Sequence, residues 1–186
     1  SFRKAIKTMT QLAGDSPDVT RYNRAASWYL ATCPREDLRN PRKAVEFAKK
    51  AVERELRAGV SWKRLGVAQY RAGDFRESIA ALNKSRELNC AEQAASMFFL
   101  ATAHWKLGEQ EQARKCYDQA LHWMEKNKRE GEELGRFRHE AAELLGIAGE
   151  PDQTDAPGAS DKNEKSPTEE SEEKSNGKVQ HGKNES

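Results

Sequence analysis

The chain has 186 residues, of which 33% are charged, and a formal net charge of +2. This charge is unevenly distributed: residues 1–149 carry 27 Lys plus Arg against 20 Asp plus Glu, whereas residues 150–186 carry 5 against 10. No stretch approaches the roughly 18–20 consecutive apolar residues of a membrane-spanning helix. Length and composition therefore favour one basic domain with an acidic tail and exclude membrane-spanning classes of protein.

The cysteines indicate a reducing environment. Cys33, Cys90 and Cys116 are an odd number and contain no CxxC pair. We therefore expect small buried thiols rather than a disulfide framework, and a cytoplasmic location.

The pattern that opens the chain recurs further along it. Residues 1–9 match residues 74–82 in their apolar and small positions, and two more copies begin at Asn40 and Glu109. The four starts are 39, 34 and 35 residues apart. A period of this length predicts an array of stacked hairpins, each built from two antiparallel helices.

The first copy begins at Ser1, so we expect a fragment that starts within a repeat and lacks the helix before it. The apolar stripe of this first helix would then be exposed, which predicts self-association through it. The stripe consists of Phe2, Ile6, Met9 and Leu12.

The next hairpin has a lengthened turn. A helix is predicted over residues 19–32 and its partner from Pro41, which leaves residues 33–40 between them. This connection is about six residues longer than a short helix–helix turn. Asn40 and Pro41 predict an N-cap followed by a helix-initiating proline.

The hairpin over residues 60–88 shows the repeat most clearly. Gly73 predicts a left-handed residue at the end of its first helix, and Asp74 a cap for the second. The first helix carries one face at helical spacing, formed by Trp62, Leu65, Gly66, Gln69 and Tyr70.

The pattern Trp62-x-x-Leu65-Gly66, followed by Gly73-Asp74-Phe75 and then by Ile79 and Leu82, resembles the tetratricopeptide repeat (TPR). The resemblance covers about residues 1–128 and is most specific over residues 60–90 and 95–125. It implies an all-α fold, a right-handed α-solenoid of antiparallel helix hairpins. The chain is also similar to the arrays appended to bacterial multidomain signalling proteins.

The resemblance also predicts the organisation of the chain. Residues 1–13 are the second helix of a truncated upstream repeat, and residues 132–147 a C-terminal capping helix with charged outward positions such as Glu133 and Glu140. Composition, rather than the resemblance, predicts that residues 150–186 form a disordered acidic tail, because they cannot bury enough apolar surface. The complete repeats span residues 19–57 (with the lengthened turn), 60–88 and 92–128.

No catalytic motif is visible in the sequence. It contains no HExxH, P-loop or GxGxxG motif, and Cys116 and His122 lie on different faces of one predicted helix. We therefore expect no active site, metal or cofactor in this chain, and any catalytic domain would lie upstream of Ser1.

The resemblance implies that the first helix of each hairpin lines a concave groove for a peptide or a partner helix. Cations mixed with aromatic side chains suit an acidic ligand with an apolar anchor. The other interpretation is that the aromatics pack between helices and the cations are merely solvated. The predicted groove residues are Thr20, Asn23, Arg24, Ser27, Lys63, Arg64, Val67, Tyr70, Arg71, Phe98, Thr102, Trp105 and Lys106.

These features predict a non-catalytic protein–protein interaction scaffold, a C-terminal module of a larger bacterial protein such as a Ser/Thr kinase. Nucleic-acid binding is the alternative, because the basic surface could follow a phosphate backbone. Against it, the basic residues are spread over many helices, including Lys49 and Arg54 on predicted second helices. Nucleic-acid binding would weaken steeply with salt, whereas a groove with aromatic anchors would not.

Overall fold

The computed structural model describes residues 1–90 and 93–147, and these residues form eight α-helices and no β-strand. A short 3₁₀ helix, Glu36–Leu38, lies within the lengthened turn. The predicted tail, residues 150–186, lies outside the described residues. The helices are α1 (Phe2–Asp15), α2 (Thr20–Thr32), α3 (Pro41–Arg54), α4 (Gly59–Ala72), α5 (Phe75–Glu87), α6 (Gln93–Lys106), α7 (Gln110–Asn127) and α8 (Glu132–Leu145).

The helices pack in chain order as hairpins. Helices α2 and α3, α4 and α5, and α6 and α7 form pairs, and consecutive pairs stack through α3 on α4 and α5 on α6. Fully buried alanines such as Ala26, Ala68 and Ala101 allow the close approach of the helices. The predicted all-α fold of sequential hairpins is therefore confirmed.

Gly66 determines how closely α4 and α5 approach. A Cβ at this position would lie 2.6 Å from Leu82 Cγ and 3.1 Å from the Leu82 backbone nitrogen. The fully buried Ser78 donates a hydrogen bond of 2.7 Å from its hydroxyl to the Gly66 carbonyl. The α4–α5 hairpin thus has no room for a side chain at Gly66.

The turn between α4 and α5 contains the left-handed glycine that the sequence predicts. Gly73 has φ +90°, and the Asp74 N–H donates to the Gln69 carbonyl at 2.9 Å, which closes α4. Asp74 occupies the N-cap position of α5, but its side chain makes no capping hydrogen bond. The predicted capping by the Asp74 carboxylate is therefore wrong.

The lengthened turn is fastened to both neighbouring helices. The Asn40 N–H donates to the Leu30 carbonyl at 3.0 Å. Asn40 Oδ1 accepts from the Lys43 N–H at 3.1 Å, and Pro41 is the first residue of α3. The predicted cap with a following proline is confirmed.

Replacing Asn40 by Ala should lower the free energy of unfolding by about 1 kcal/mol, because the Lys43 N–H would lose its acceptor. Asn40→Ser, which keeps a capping oxygen, is the matched control and should cost much less. Urea unfolding followed by circular dichroism measures both. Equal losses in the two variants would show that the side-chain cap does not stabilise α3.

Helix α8 follows the last hairpin and folds back onto the array. It packs mainly against α6 rather than against its neighbour α7, and its side chains reach α2 and α4. The position of α8 decides which parts of the predicted groove are open.

Among the described helices, none combines the length and the apolar character that crossing a membrane requires.

Candidate functional site

Most of the predicted groove residues have little exposed surface. They lie on α2, α4 and α6, whose common surface we call the first-helix face. Lys106 is exposed, and Thr20, Arg24, Arg64, Arg71 and Trp105 are half-buried. The buried ones are Asn23, Ser27, Lys63, Val67, Tyr70, Phe98 and Thr102.

Contacts within the array account for part of this burial. Asn23 Nδ2 donates to the Pro17 carbonyl at 2.9 Å and fastens the α1–α2 connection to α2. Arg24 pairs with Glu55 at 2.7 Å, which joins α2 to the end of α3. These two predicted groove residues stabilise the array itself.

An aromatic side chain of α8 also lies on the first-helix face. Phe137 is 3% exposed and lies against Trp28 of α2 and Phe99 of α6. Its ring centroid is 5.9 Å from that of Trp28 in a T-shaped contact and 4.9 Å from that of Phe99. Aromatic pairs of this geometry add about 0.5–1.5 kcal/mol to the burial of area. Phe137 is therefore the main apolar anchor of α8 on the first-helix face.

Two carboxylates of α8 flank this anchor. Trp28 Nε1 donates to Glu133 Oε1 at 2.9 Å. The Arg71 guanidinium donates to both oxygens of Glu140, at 2.7 Å for the Nη2 bond. The Arg71 side chain is only 10% exposed, so this bidentate pair is partly shielded from water. The expectation that Glu133 and Glu140 point away from the array is wrong, because both contact it.

Trp28 also contacts cations of α4. The Arg64 guanidinium carbon lies 4.5 Å from the centroid of the Trp28 ring, and Lys63 Nζ lies 5.5 Å from it. A cation over an indole face is attracted by the ring quadrupole. Lys63 is 1% exposed, so its aliphatic stem belongs to the core while its ammonium group contacts the indole.

Another part of the predicted groove stays open. A cleft of about 490 Å³ is lined by Tyr70, Arg71 and Lys106, and by Arg39 and Glu36 from the lengthened turn. Burial, followed by repulsion from Arg71 and Arg136, lowers the pKa of Arg39. Glu36 and Glu140 oppose this repulsion, so the lowered pKa of Arg39 reflects its burial first.

Several residues of this surface were not predicted from the sequence. Trp28 lies four residues after Arg24 and eight after Thr20, so helical spacing alone could have placed it on the groove face. Arg39 is in the lengthened turn, and no local sequence pattern predicts that this turn folds toward the end of α4. Glu133 and Glu140 resemble any other solvated charges of an amphipathic helix, so their partners had no local signal.

The cysteines have the character expected of free thiols. Cys33 and Cys116 are buried, Cys90 is half-buried, and all three are unpaired with one another. Burial raises the pKa of the Cys116 thiol, which disfavours the reactive thiolate. The expectation of buried thiols therefore holds for Cys33 and Cys116, whereas Cys90 is half-buried.

Under native conditions, a thiol reagent such as iodoacetamide should modify Cys90 at least about tenfold faster than Cys33 or Cys116, because access limits the reaction of buried thiols. Peptide mass spectrometry after timed alkylation measures the three rates. In urea the rates should become similar. Fast native modification of Cys116 would contradict its position in the α6–α7 hairpin.

The described residues offer no metal chemistry. Within residues 1–90 and 93–147, no group of three His, Cys, Asp or Glu side chains is arranged to hold a metal ion. The candidate site consists of the cationic cleft and the contact of α8 with the first-helix face.

Comparison with known proteins supports this class of fold. Residues 94–126 match the family model of the tetratricopeptide repeat. No protein with a curated description matches the sequence. Nothing in these comparisons links the chain to multidomain signalling proteins.

The solved structures that are similar to this chain include two of MamA. A crystal structure of MamA protein has 20% identity and a TM-score of 0.54, and the match covers 78% of this chain and 74% of that one. A second crystal structure of MamA has 19% identity and a TM-score of 0.53, over 79% and 90% of the two chains. At this identity the likeness shows the fold alone. Residues 94–126 therefore form a tetratricopeptide repeat within a TPR-like fold of sequential hairpins that is similar to the fold of MamA.

Proposed function

We propose that this chain is a non-catalytic protein-interaction scaffold that binds an acidic peptide or partner helix with an apolar anchor. TPR domains generally mediate protein–protein interactions and are typically non-catalytic, and the repeat over residues 94–126 supports this class of function. The open cleft beside α8 is the proposed binding surface.

The observation that carries the proposal is the lining of this cleft. Arg39, Arg71 and Lys106 bring three cations to it, and Tyr70 and Phe75 add aromatic surface. A ligand carboxylate would meet the cations, and an adjacent apolar side chain would meet the rings. The proposal therefore retains Tyr70, Arg71 and Lys106 of the predicted groove.

Acidic neighbours offset part of this positive charge. Arg39 pairs with Glu36 at 2.9 Å, and the Glu36 side chain is 83% exposed. Because an exposed carboxylate is well solvated, a ligand carboxylate can replace Glu36 at low cost. The pair of Arg71 with Glu140 is more buried and would persist beside the ligand.

Other features expected from the sequence stay proposals. They are a larger bacterial host protein such as a Ser/Thr kinase, a cytoplasmic location, and partner contacts through the groove residues that the array or α8 covers. Self-association through α1 also stays a proposal. Phe2 is 47% exposed, but Ile6 and Met9 already pack against the core.

Reversing the charge of the cleft tests the proposed function. The variant Lys106→Glu with Ala72→Glu adds two carboxylates at exposed lining positions. The matched control, Lys49→Glu with Ala80→Glu, makes the same changes at exposed positions of α3 and α5. Both full-length variants and the unsubstituted chain serve as baits for proteins from a lysate, after circular dichroism shows equal helix content.

We expect the cleft variant to capture at least about tenfold less of the proteins that the other two baits capture, because repulsion replaces attraction at the binding surface. Equal capture by all three baits would contradict binding in the cleft. Capture of nucleic acid that declines steeply with the logarithm of salt concentration would favour the alternative function.

A further inference from the structure

Helix α8 contacts the first-helix face as a bound peptide helix would. Its side-chain hydrogen bonds and ring contacts to this face come from Glu133, Phe137 and Glu140, which are spaced i, i+4 and i+7 and therefore share one helical face. Ala141 and Leu145 of α8 are buried in the core as well. An amphipathic helix that places such anchors in a groove is a recurrent mode of peptide recognition. The chain thus provides an example of the ligand that this face accepts.

The receiving surface has a definite chemistry. Trp28 accepts the edge of an aromatic ring and donates its indole N–H to a carboxylate, and Lys63 and Arg64 lie against the same indole. Phe99 forms the other wall of the aromatic site, and Arg71 binds a second carboxylate. A helix with one aromatic residue between two acidic residues matches this surface.

Space remains around the docked helix. A solvent-open cleft of about 420 Å³ is lined by Trp28, Trp123 and Phe137, and another of about 280 Å³ by Phe2, Trp28 and Arg136. The side chains that line these clefts lack contacts on their open side, which a larger helix could supply. A helix with larger side chains near its N-terminal end would therefore pack better here than α8 does.

Two polar groups also lack partners at this contact. Arg71 Nε and Arg136 Nη1 are buried, and neither has a hydrogen-bond partner among the described residues. A buried donor without a partner destabilises the arrangement that buries it. These unpaired donors weaken the hold of α8 on the array.

We propose that α8 occupies a partner-binding site and that a partner helix can displace it. The partner is an amphipathic helix with an acidic, an aromatic and an acidic residue at positions i, i+4 and i+7. The site is the first-helix face around Trp28, Phe99 and Arg71. It shares Arg71 with the open cleft but includes neither Arg39 nor Lys106, so this inference goes beyond the proposed function and can fail independently of it.

The displacement of α8 affects the apparent affinity of the array for the partner helix. The partner helix binds only the fraction of molecules in which α8 is released, so its apparent affinity falls by that fraction. Residues 128–131 connect α7 to α8 and keep the competing helix close to its site. Loosening α8 should therefore strengthen the binding of any helix that resembles it.

Two full-length variants release α8 by different means. His139→Pro interrupts the helix at an exposed position in its middle, and His139→Ala is the matched control that keeps it helical. Phe137→Asp with Glu140→Lys removes the anchors and leaves the receiving surface unchanged. The probe is a fluorescein-labelled synthetic peptide of residues 130–147, and a second peptide with Phe137→Ala and Glu140→Lys is the negative control.

Fluorescence anisotropy should show the native peptide binding both release variants at least about tenfold more tightly than it binds the unsubstituted chain or His139→Ala. The control peptide should bind none of them. Equal affinity for all four chains, or no binding to either release variant, would overturn the proposal. Global unfolding of both release variants would overturn it as well, because an exchangeable helix must be separable from the array.

Discussion

Replacing Phe137 by Ala should lower the free energy of unfolding by about 3–5 kcal/mol, the range for truncating a buried aromatic ring. The ring is 3% exposed and contacts Trp28 and Phe99, so its removal leaves a cavity between α8 and two helices of the array. Urea unfolding gives the total loss. Amide hydrogen exchange should show that α8 loses more protection than α4 and α5 do.

Phe2→Ala is the matched control for this prediction. Phe2 is 47% exposed on α1, so the same truncation there should change the free energy of unfolding by no more than about 0.5 kcal/mol. Similar losses for the two variants would contradict the anchoring role of Phe137.

Replacing Gly66 by Ala should lower the free energy of unfolding by about 1–2 kcal/mol. Overpacking costs about 1–3 kcal/mol, and the higher helix propensity of Ala returns up to about 1 kcal/mol. The cost arises because the new Cβ would lie 2.6 Å from Leu82 Cγ, and Leu82 is fully buried with little room to move. Thermal and urea unfolding measure the change.

Gly135→Ala is the control, and its expected change in the free energy of unfolding has the opposite sign. Gly135 lies within α8, and a Cβ there would meet no atom within 4 Å. Only the propensity gain of about 0.5–1 kcal/mol remains, so this variant should be more stable than the unsubstituted chain. A stabilising effect of Gly66→Ala would show that the α4–α5 hairpin is looser than the Gly66–Leu82 distance requires.

The helices and their order could be predicted from the sequence because they depend on local patterns. Gly73 ends α4 and Asn40 caps α3 through residues a few positions away, and the apolar spacing identifies each buried face. Asp74 shows the limit of this reasoning. Its position before α5 was predicted, but the orientation of its carboxylate depends on its surroundings.

The state of the groove could not be predicted in the same way. The apolar stripe of α8, which includes Leu134 and Phe137, could cover either the end of the last hairpin or the first-helix face. Contacts such as Trp28 with Glu133 join residues 105 positions apart, and no local pattern encodes such a pairing. Identifying cations and aromatics on first helices therefore located the surface but did not reveal that α8 covers part of it.

The docking of α8 on the first-helix face is tested most directly by an NMR measurement of nuclear Overhauser effects between aromatic side chains. The ring protons of Phe137 should show cross-peaks to those of both Trp28 and Phe99, because its centroid lies 5.9 Å and 4.9 Å from theirs. Cross-peaks from Phe137 to side chains of α7, with none to Trp28 or Phe99, would contradict the docking and place α8 at the end of the array instead.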